Sequence, residues 1–440
     1  MKQPVFDDNR SIWTLGAPEP PACPPLSGDS HADVAIIGGG YTGVSAAWHI
    51  SKRFPERRVV LLEAKRLANG ASGRNGGQVL NWVNGLDTHD AESTQRVFEI
   101  THGGIDQIFG LISEEGLQVR ASRRGAMEVF TDAKRAEEAH EKVERLNAWG
   151  IPLRYLHGDA LSSRLRLQGG VGAIFDPTAG QLNGVDFIRA MQPKLLARGV
   201  GIYEDCPVLK VEEGAECRLH TKNGVLRAKA VVLATAGYTA NLGYFRDGYI
   251  PLHSHAFATE PLSPEQQAAL GWGEVDGFCD DMDRIAYGAL NSDGRIVFGG
   301  GSNAAYNYLY GGATAWPGSA EAGIAAVQRR FDACFPGGKG LRIERTWTGT
   351  LCITLSRCFS VGVRGEHKNV YYGLGYSGHG VTLANVAGRI IADTYAGEAD
   401  AWAGLPFYNK PLRGIPPEPL RWVGYKAFTT LTGRSPRRAV

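Results

Sequence analysis

The chain has 440 residues, 43% hydrophobic and 21% charged, with 47 basic and 45 acidic side chains giving a formal net charge of +2. That length supports two or three domains and a large core, and the even charge balance leaves no global field to favour nucleic acid or an anionic membrane surface. Its 58 glycines are about twice the ordinary ~7% share and follow no Gly-X-Y period, which excludes collagen and implies many tight turns or close ligand approaches.

Residues Met1–Arg10 carry Asp7 and Asp8 and no apolar stretch, which argues against a secretory signal. Up to residue 30 the prolines Pro18, Pro20, Pro21, Pro24 and Pro25 predict an extended surface segment. Asp33–Ile37 predicts a short strand apolar on both faces, as in a parallel sheet. The run Gly38-Gly39-Gly40-Tyr41-Thr42-Gly43 follows, then a helix over 44–52, then a second strand over 58–62 ending at Glu63, which completes a βαβ unit. Beyond the glycine-rich stretch 70–77, helices are predicted over 91–115 and 132–149, with a hairpin over 118–130 between them. A helix over 186–198 takes Pro193 as a kink or boundary, and strands follow at 208–211, 218–221 and 230–234. Residues 250–300 suggest a different sheet, with strands at 253–259 and 295–298. A helix over 321–335 precedes an apolar strand at 369–372, the turn Gly373–Gly380 and a helix over 381–395.

No apolar run approaches the roughly 18 residues of a transmembrane helix, and there is no internal repeat. Seven scattered cysteines without C-x-x-C disfavour structural zinc and a disulfide framework, and fit reduced thiols in the cytoplasm. The basic cluster Arg434-Ser435-Pro436-Arg437-Arg438 suggests a solvated tail.

Gly38-x-Gly40-x-x-Gly43 alone would be a weak signal, but here it joins a predicted strand to a predicted helix, with Glu63 standing 20 positions after Gly43. Gly38 permits the turn, Gly40 lets a pyrophosphate approach the backbone, and Gly43 lets helix and strand pack closely. The helix N-terminus offers free N–H groups to phosphate, and Glu63 suits a ribose 2′-OH while repelling a 2′-phosphate. A glycine turn without a ligand is the alternative. The further glycine segments Gly70–Gln78 and Gly375–Gly380 favour a two-ended ligand, FAD, over NAD, although each taken singly could be a plain turn. A second G-x-G-x-x-A run, Gly299 to Ala304, leads into Tyr306, Asn307, Tyr308, Tyr310, Gly311 and Gly312, poor helix material, so a strand-end turn is preferred to a nicotinamide site. His253 and His255 share one strand face and either meet substrate or are merely hydrogen-bonded. Tyr287, Tyr306, Tyr308, Tyr310 and Trp347 could cage an amine or simply pack.

Asp33–Glu63, Gly70–Gln78, Val231–Gly237 and Tyr376-Ser377-Gly378-His379-Gly380 together resemble the D-amino-acid oxidase/glycine oxidase/sarcosine oxidase superfamily, over roughly residues 30–400. The segments Ala71–Gln78 and Gly375–Gly380 are similar to its γ-glutamylputrescine oxidase-like branch. The resemblance implies an α/β fold. A Rossmann-type FAD-binding domain with a central parallel sheet would be assembled from 1–116, 165–242 and 345–440. A substrate domain with a mainly antiparallel sheet would be assembled from 117–164 and 243–344.

The resemblance also implies cofactor contacts. These fall at Gly38, Gly40, Tyr41, Thr42, Gly43, Glu63 and Ala64, then at Ser72, Arg74, Asn75, Gly76, Gly77 and Gln78. Val208, Ala234 and Gly237 follow, then Gly375, Tyr376, Gly378, His379 and Gly380. Substrate would meet His255, Tyr287, Trp347, Tyr376 and Thr382, with Tyr376 and His379 as catalytic candidates but no dedicated base and no metal.

Sarcosine oxidases place a substrate-carboxylate lysine where this chain has Thr382, and an arginine near Gly77, for which Arg74 is the nearest basic substitute. They attach FAD to a cysteine three residues before a threonine. Cys352 precedes Thr354 by two, so non-covalent FAD is expected.

The implied reaction is oxidation of an amine or amino-acid C–N bond to an imine by hydride transfer to flavin N5, with O2 reduced to H2O2. The expected substrate is a secondary or N-substituted amine such as γ-glutamylputrescine or an iminodiacetate-like compound. The alternatives are a dehydrogenase passing electrons to a quinone or carrier, and a flavin-binding protein without catalysis. The sequence assigns no oligomeric state.

Overall fold

The structure, a computed structural model, describes residues 6–432. The basic cluster at 434–438 and residues 1–5 lie outside that range.

Alternation is absent from Val34–Ile37 and Val59–Leu62, and both are fully buried, as parallel strands covered on two faces must be. They pair in parallel with each other and flank the helix Tyr41–Arg53 in a crossover unit. The crossover turn requires glycine. Gly38 has φ +108°, and a Cβ there would lie 2.6 Å from the Ala234 carbonyl oxygen. Val225–Leu233 joins the other side of Ser30–Ile37, and Gly201–Tyr203 and Val370–Leu374 extend the parallel core. Antiparallel strands Lys210–Glu212, Cys217–His220 and Ser360–Arg364 complete eight strands. The helix Gly380–Tyr395 packs on the first helix, close enough that a Cβ at Gly388 would sit 2.4 Å from Ser45.

A second, nine-stranded sheet is mainly antiparallel. Its spine is Ile250–Thr259, paired along its length with Ile343–Ile353 and also with Ile296–Gly300 and Tyr306–Tyr308. Beyond these lie Ala286–Leu290, Gly277–Asp280, Ala126–Phe130, Gly172–Asp176 and Arg154–Leu156. Phe257, Phe278, Phe298, Phe331 and Phe335 fill one face with edge-to-face and tilted contacts. Gly172–Asp176 and Ile343–Ile353 belong to this sheet, although most of their residues lie in segments expected with the parallel one.

The structure departs from sequence expectation in two further places and agrees with it at Pro193 and at the glycine run 299–304. The expected hairpin over 118–130 does not form: Ala121–Ser122 pairs with Gly180–Leu182, and Ala126–Phe130 pairs with Gly172–Asp176 and Gly277–Asp280. The proline-rich start is not purely superficial, because Ile12 and Trp13 enter the core beneath loop 68–77 and Leu26 is also buried. Pro193 lies inside the helix Gly184–Ala197. The glycine run at 299–304 is a strand end, with Gly300 and Gly301 at positive φ.

Among the described residues, no helix is long and apolar enough to cross a membrane and no group of three or more potential ligands could hold a metal ion. All seven cysteines are free.

Candidate active site

A cavity of about 770 Å³ opens at the carboxyl ends of the parallel strands, where Ile37–Gly38, Leu62–Glu63 and Ala234 contribute its floor. Ligands of doubly wound sheets bind at this edge. The first helix begins there, with Gly40 as its N-cap residue. Tyr41 N–H donates to Ser72 Oγ at 3.0 Å, and a Cβ on Gly40 would come within 2.7 Å of the same oxygen. Glu63 closes the floor: Oε2 accepts Gly39 N–H at 2.7 Å and Oε1 accepts Lys65 N–H at 2.9 Å. Burial raises its carboxyl above the usual range, and the backbone donors oppose that shift.

Loop 70–78 forms the next wall. Asn75 folds it, with Oδ1 accepting Gly77 N–H and Nδ2 donating to the Ser72 carbonyl. The N-terminal segment holds the loop from outside: Ser11 Oγ donates to the Gly73 carbonyl, and Trp13 Nε1 donates to that of Asn75 at 2.7 Å. Arg74 is buried and paired with Asp7, its Nη1 3.0 Å from the carboxylate, while Trp347 Nε1 donates to its carbonyl. Gln78 Nε2 donates across to the carbonyls of Phe278 and Gly288, tying the loop to the second sheet.

The turn 375–380 supplies the opposite wall. Tyr376 OH and Thr42 Oγ1 are 2.7 Å apart, which links this turn to the first helix. Asn84 Nδ2 donates to the Ser377 carbonyl and to His379 Nδ1 at 2.7 Å. His379 therefore carries its proton on Nε2, and burial pushes its pKa down to about 4, so the ring is neutral. From the second sheet, Tyr287 reaches the cavity with its hydroxyl 3.2 Å from Ser254 Oγ, and its ring would touch a Cβ at Gly76 at 3.0 Å. Tyr306 and the final helix, Leu420–Thr432, close the mouth with Tyr425 and Phe428.

The sequence-expected cofactor contacts Gly38, Gly40, Tyr41, Thr42, Glu63, Ala64, Ser72, Arg74, Asn75, Gly76, Gly77, Gln78, Val208, Ala234, Tyr376, Gly378, His379 and Gly380 converge on this cavity, as does Tyr287. Gly43, Gly237 and Gly375 lie outside its lining. Gly43 packs the helix onto the turn, a Cβ there falling 1.9 Å from the Gly38 oxygen. His255, Trp347 and Thr382 also lie outside it. His255 is covered by Trp316 and hydrogen-bonded through Nδ1 to Thr348 Oγ1, and its neighbour His253 is bonded to the Ala313 carbonyl. Thr382 is buried in its helix, with no partner for Oγ1 among the described residues. Phe6, Asp7, Asn84 and Asp283 line the cavity unforeseen, and Cys352, weighed in the sequence as a flavin attachment, lines it too. No local pattern marks the first four, because their neighbours there come from distant parts of the chain.

The cavity is long, has a glycine cradle that a single Cβ would fill, presents a helix start, and keeps Glu63 on its wall. These features fit an adenine dinucleotide with its diphosphate at the helix N-terminus. Residues 33–394 match the DAO family, FAD dependent oxidoreductases, and the chain belongs to that family. It is similar to γ-glutamylputrescine oxidoreductase of Escherichia coli (strain K12), 29% identical over 400 residues that cover 86% of this chain and 88% of that one. Glycine oxidase of Geobacillus kaustophilus (strain HTA426) is 24% identical over 389 residues, 85% of this chain and 96% of that one. The crystal structure of glycine oxidase from Geobacillus kaustophilus shares the fold, with a TM-score of 0.73 at 19% identity, covering 87% of this chain and 99% of that one. The chain is thus an FAD-dependent oxidoreductase that acts on C–N donors.

Proposed function

We propose that the protein oxidises the C–N bond of an amine of the γ-glutamylputrescine class to an imine, which water hydrolyses to a carbonyl compound and ammonia, or to a carbonyl compound and an amine where the nitrogen is substituted. FAD, when bound, would supply the two-electron acceptor for a hydride from the carbon next to nitrogen, with O2 as the final oxidant and H2O2 as its product. The observation that carries this reading is the contact of Tyr287 with the Gly76 loop, which sets an aromatic, hydroxyl-bearing wall from the second sheet directly against the cofactor loop. The 29% identity to γ-glutamylputrescine oxidoreductase supports the same choice of substrate class.

The chain's own residues bind and orient. Glu63 would accept from the ribose, the first turn of the opening helix would receive the diphosphate, and Gly76–Gln78 with Gly378–Gly380 would hold the flavin end. Tyr376 stays fixed by Thr42, and neutral His379 presents an Nε2–H donor without adding positive charge. The amine reacts in its neutral form, so no dedicated base is required, and the aromatic wall excludes water and disfavours the ammonium. Burial holds Cys352 as a thiol, which supports FAD held without a covalent bond. Free cysteines throughout support a cytoplasmic setting.

The test is a screen of amines and N-substituted glycines against the purified yellow protein, following flavin bleaching without air and peroxide with it. Bleaching together with peroxide supports the proposal. Bleaching without peroxide points to a dehydrogenase, and a flavin that no amine bleaches overturns the reaction.

A further inference from the structure

Among the described residues, three carboxylates line the cavity: Asp7, Glu63 and Asp283. Asp7 is paired with Arg74, and Glu63 accepts two backbone N–H groups. Asp283 has no hydrogen-bond or ion-pair partner for its carboxylate among those residues. It stands half-buried in the bend between Gly277–Asp280 and Ala286–Leu290.

That bend is fastened rather than loose. Arg284 Nε donates to Asn303 Oδ1 at 2.5 Å, and its guanidinium lies 5.6 Å from the Phe428 ring centre. Asn303 Nδ2 in turn donates to the Thr429 carbonyl on the final helix at 2.8 Å. Tyr425 OH donates to the Tyr306 carbonyl at 3.2 Å, so the rings around the mouth are held by the same helix. Tyr287 follows Asp283 by four residues, and four extended residues span at most about 14 Å. Asp283 is therefore within one small-molecule length of the wall that meets the cofactor loop. A fixed, unpaired carboxylate partly withdrawn from water attracts a cation more strongly than an exposed one does.

We propose that Asp283 binds a second, non-reacting ammonium group on the substrate's tail, so that the enzyme prefers an amine bearing a distal cation to the same amine without it. The inference rests on the amine-oxidising reading and narrows its substrate class. The reacting nitrogen enters neutral against the aromatic wall, while the distal nitrogen stays protonated at the mouth. One pocket thereby distinguishes two amines of the same molecule by where each can keep its charge.

The experiment compares γ-glutamylputrescine with its desamino analogue glutarylputrescine, identical except for the ammonium group. The holoenzyme, Asp283→Asn and Asp283→Glu are assayed for kcat/KM by anaerobic flavin bleaching, and for the thermal midpoint with each compound present. The wild type is expected to favour γ-glutamylputrescine over the desamino analogue by roughly tenfold, the scale of one charge-assisted contact, mostly through KM. Asp283→Asn should erase that preference through a raised KM for γ-glutamylputrescine, with the flavin spectrum unchanged, and Asp283→Glu should restore part of it. An equal preference in wild type and Asp283→Asn overturns the inference while leaving amine oxidation intact. If no amine bleaches the flavin, the reaction itself falls and the midpoints decide: a rise with γ-glutamylputrescine that Asp283→Asn loses keeps the ammonium site, and its absence removes it.

Discussion

A side chain at Gly40 would begin 2.7 Å from Ser72 Oγ, inside the space where a diphosphate must approach the helix start. Gly40→Val is therefore expected to yield a folded but colourless protein, checked by the flavin absorbance bands after purification. Glu63→Gln keeps the shape of the floor but loses a charged acceptor, and the FAD affinity should fall by roughly 10- to 100-fold in a flavin titration. His49, His255 and His379 each have a pKa pushed by burial from 6.5 to about 4. Between those values the unfolded chain binds more protons than the folded one, so stability rises with pH across that window, is complete above 6.5, and is lost as pH falls toward 4. The thermal midpoint should follow that profile, and His255→Asn should flatten it. Gly38 and Gly40 were legible as ligand-facing because they sit in a turn between a strand and a helix that the local pattern names, whereas Gly43, Gly237 and Gly375 lie outside the lining. His255 was not legible, because strand alternation names a face and not its cover, and here Trp316 covers it.

The segment Asn9–Trp13 acts as a strap, with Asn9 Nδ2 and Ser11 Oγ both donating to the Gly73 carbonyl while Trp13 packs under Gly77. Trp13→Ala should cost about 3–5 kcal/mol of stability, as large aromatic deletions from a core do, and should speed flavin release. A denaturant titration and a flavin-release time course would check both. The opening strand–helix–strand was readable because period, turn and cap agree within thirty residues. The strap and the final helix were not, since the strap's partners lie about sixty residues away and the helix Leu420–Thr432 answers to Tyr306 and Asn303. The supposed hairpin over 118–130 failed for the same reason: both strands found better partners far along the chain.

The cavity takes its walls from Phe6 near one end of the described chain to Phe428 near the other. Because FAD contacts only the assembled form, saturating cofactor should raise the thermal midpoint, with roughly 2.7 kcal/mol gained at a hundredfold excess over Kd. A melting series with added FAD on stripped protein would measure it, and an unmoved midpoint would count against the cavity as the cofactor's seat. The class of fold and the cofactor were legible because one compact unit, Asp33–Glu63, anchors both. How the antiparallel sheet covers the flavin end was not, because that depends on two sheets meeting through single contacts such as Gln78 with Phe278 and Gly288.

A vessel whose rim includes Phe428 is sealed only once that stretch has folded over it. A copy that has not taken up FAD is the less stable form and the one more exposed to cellular proteases. The number of copies a cell retains should then track its vitamin B2 supply as closely as it tracks transcription.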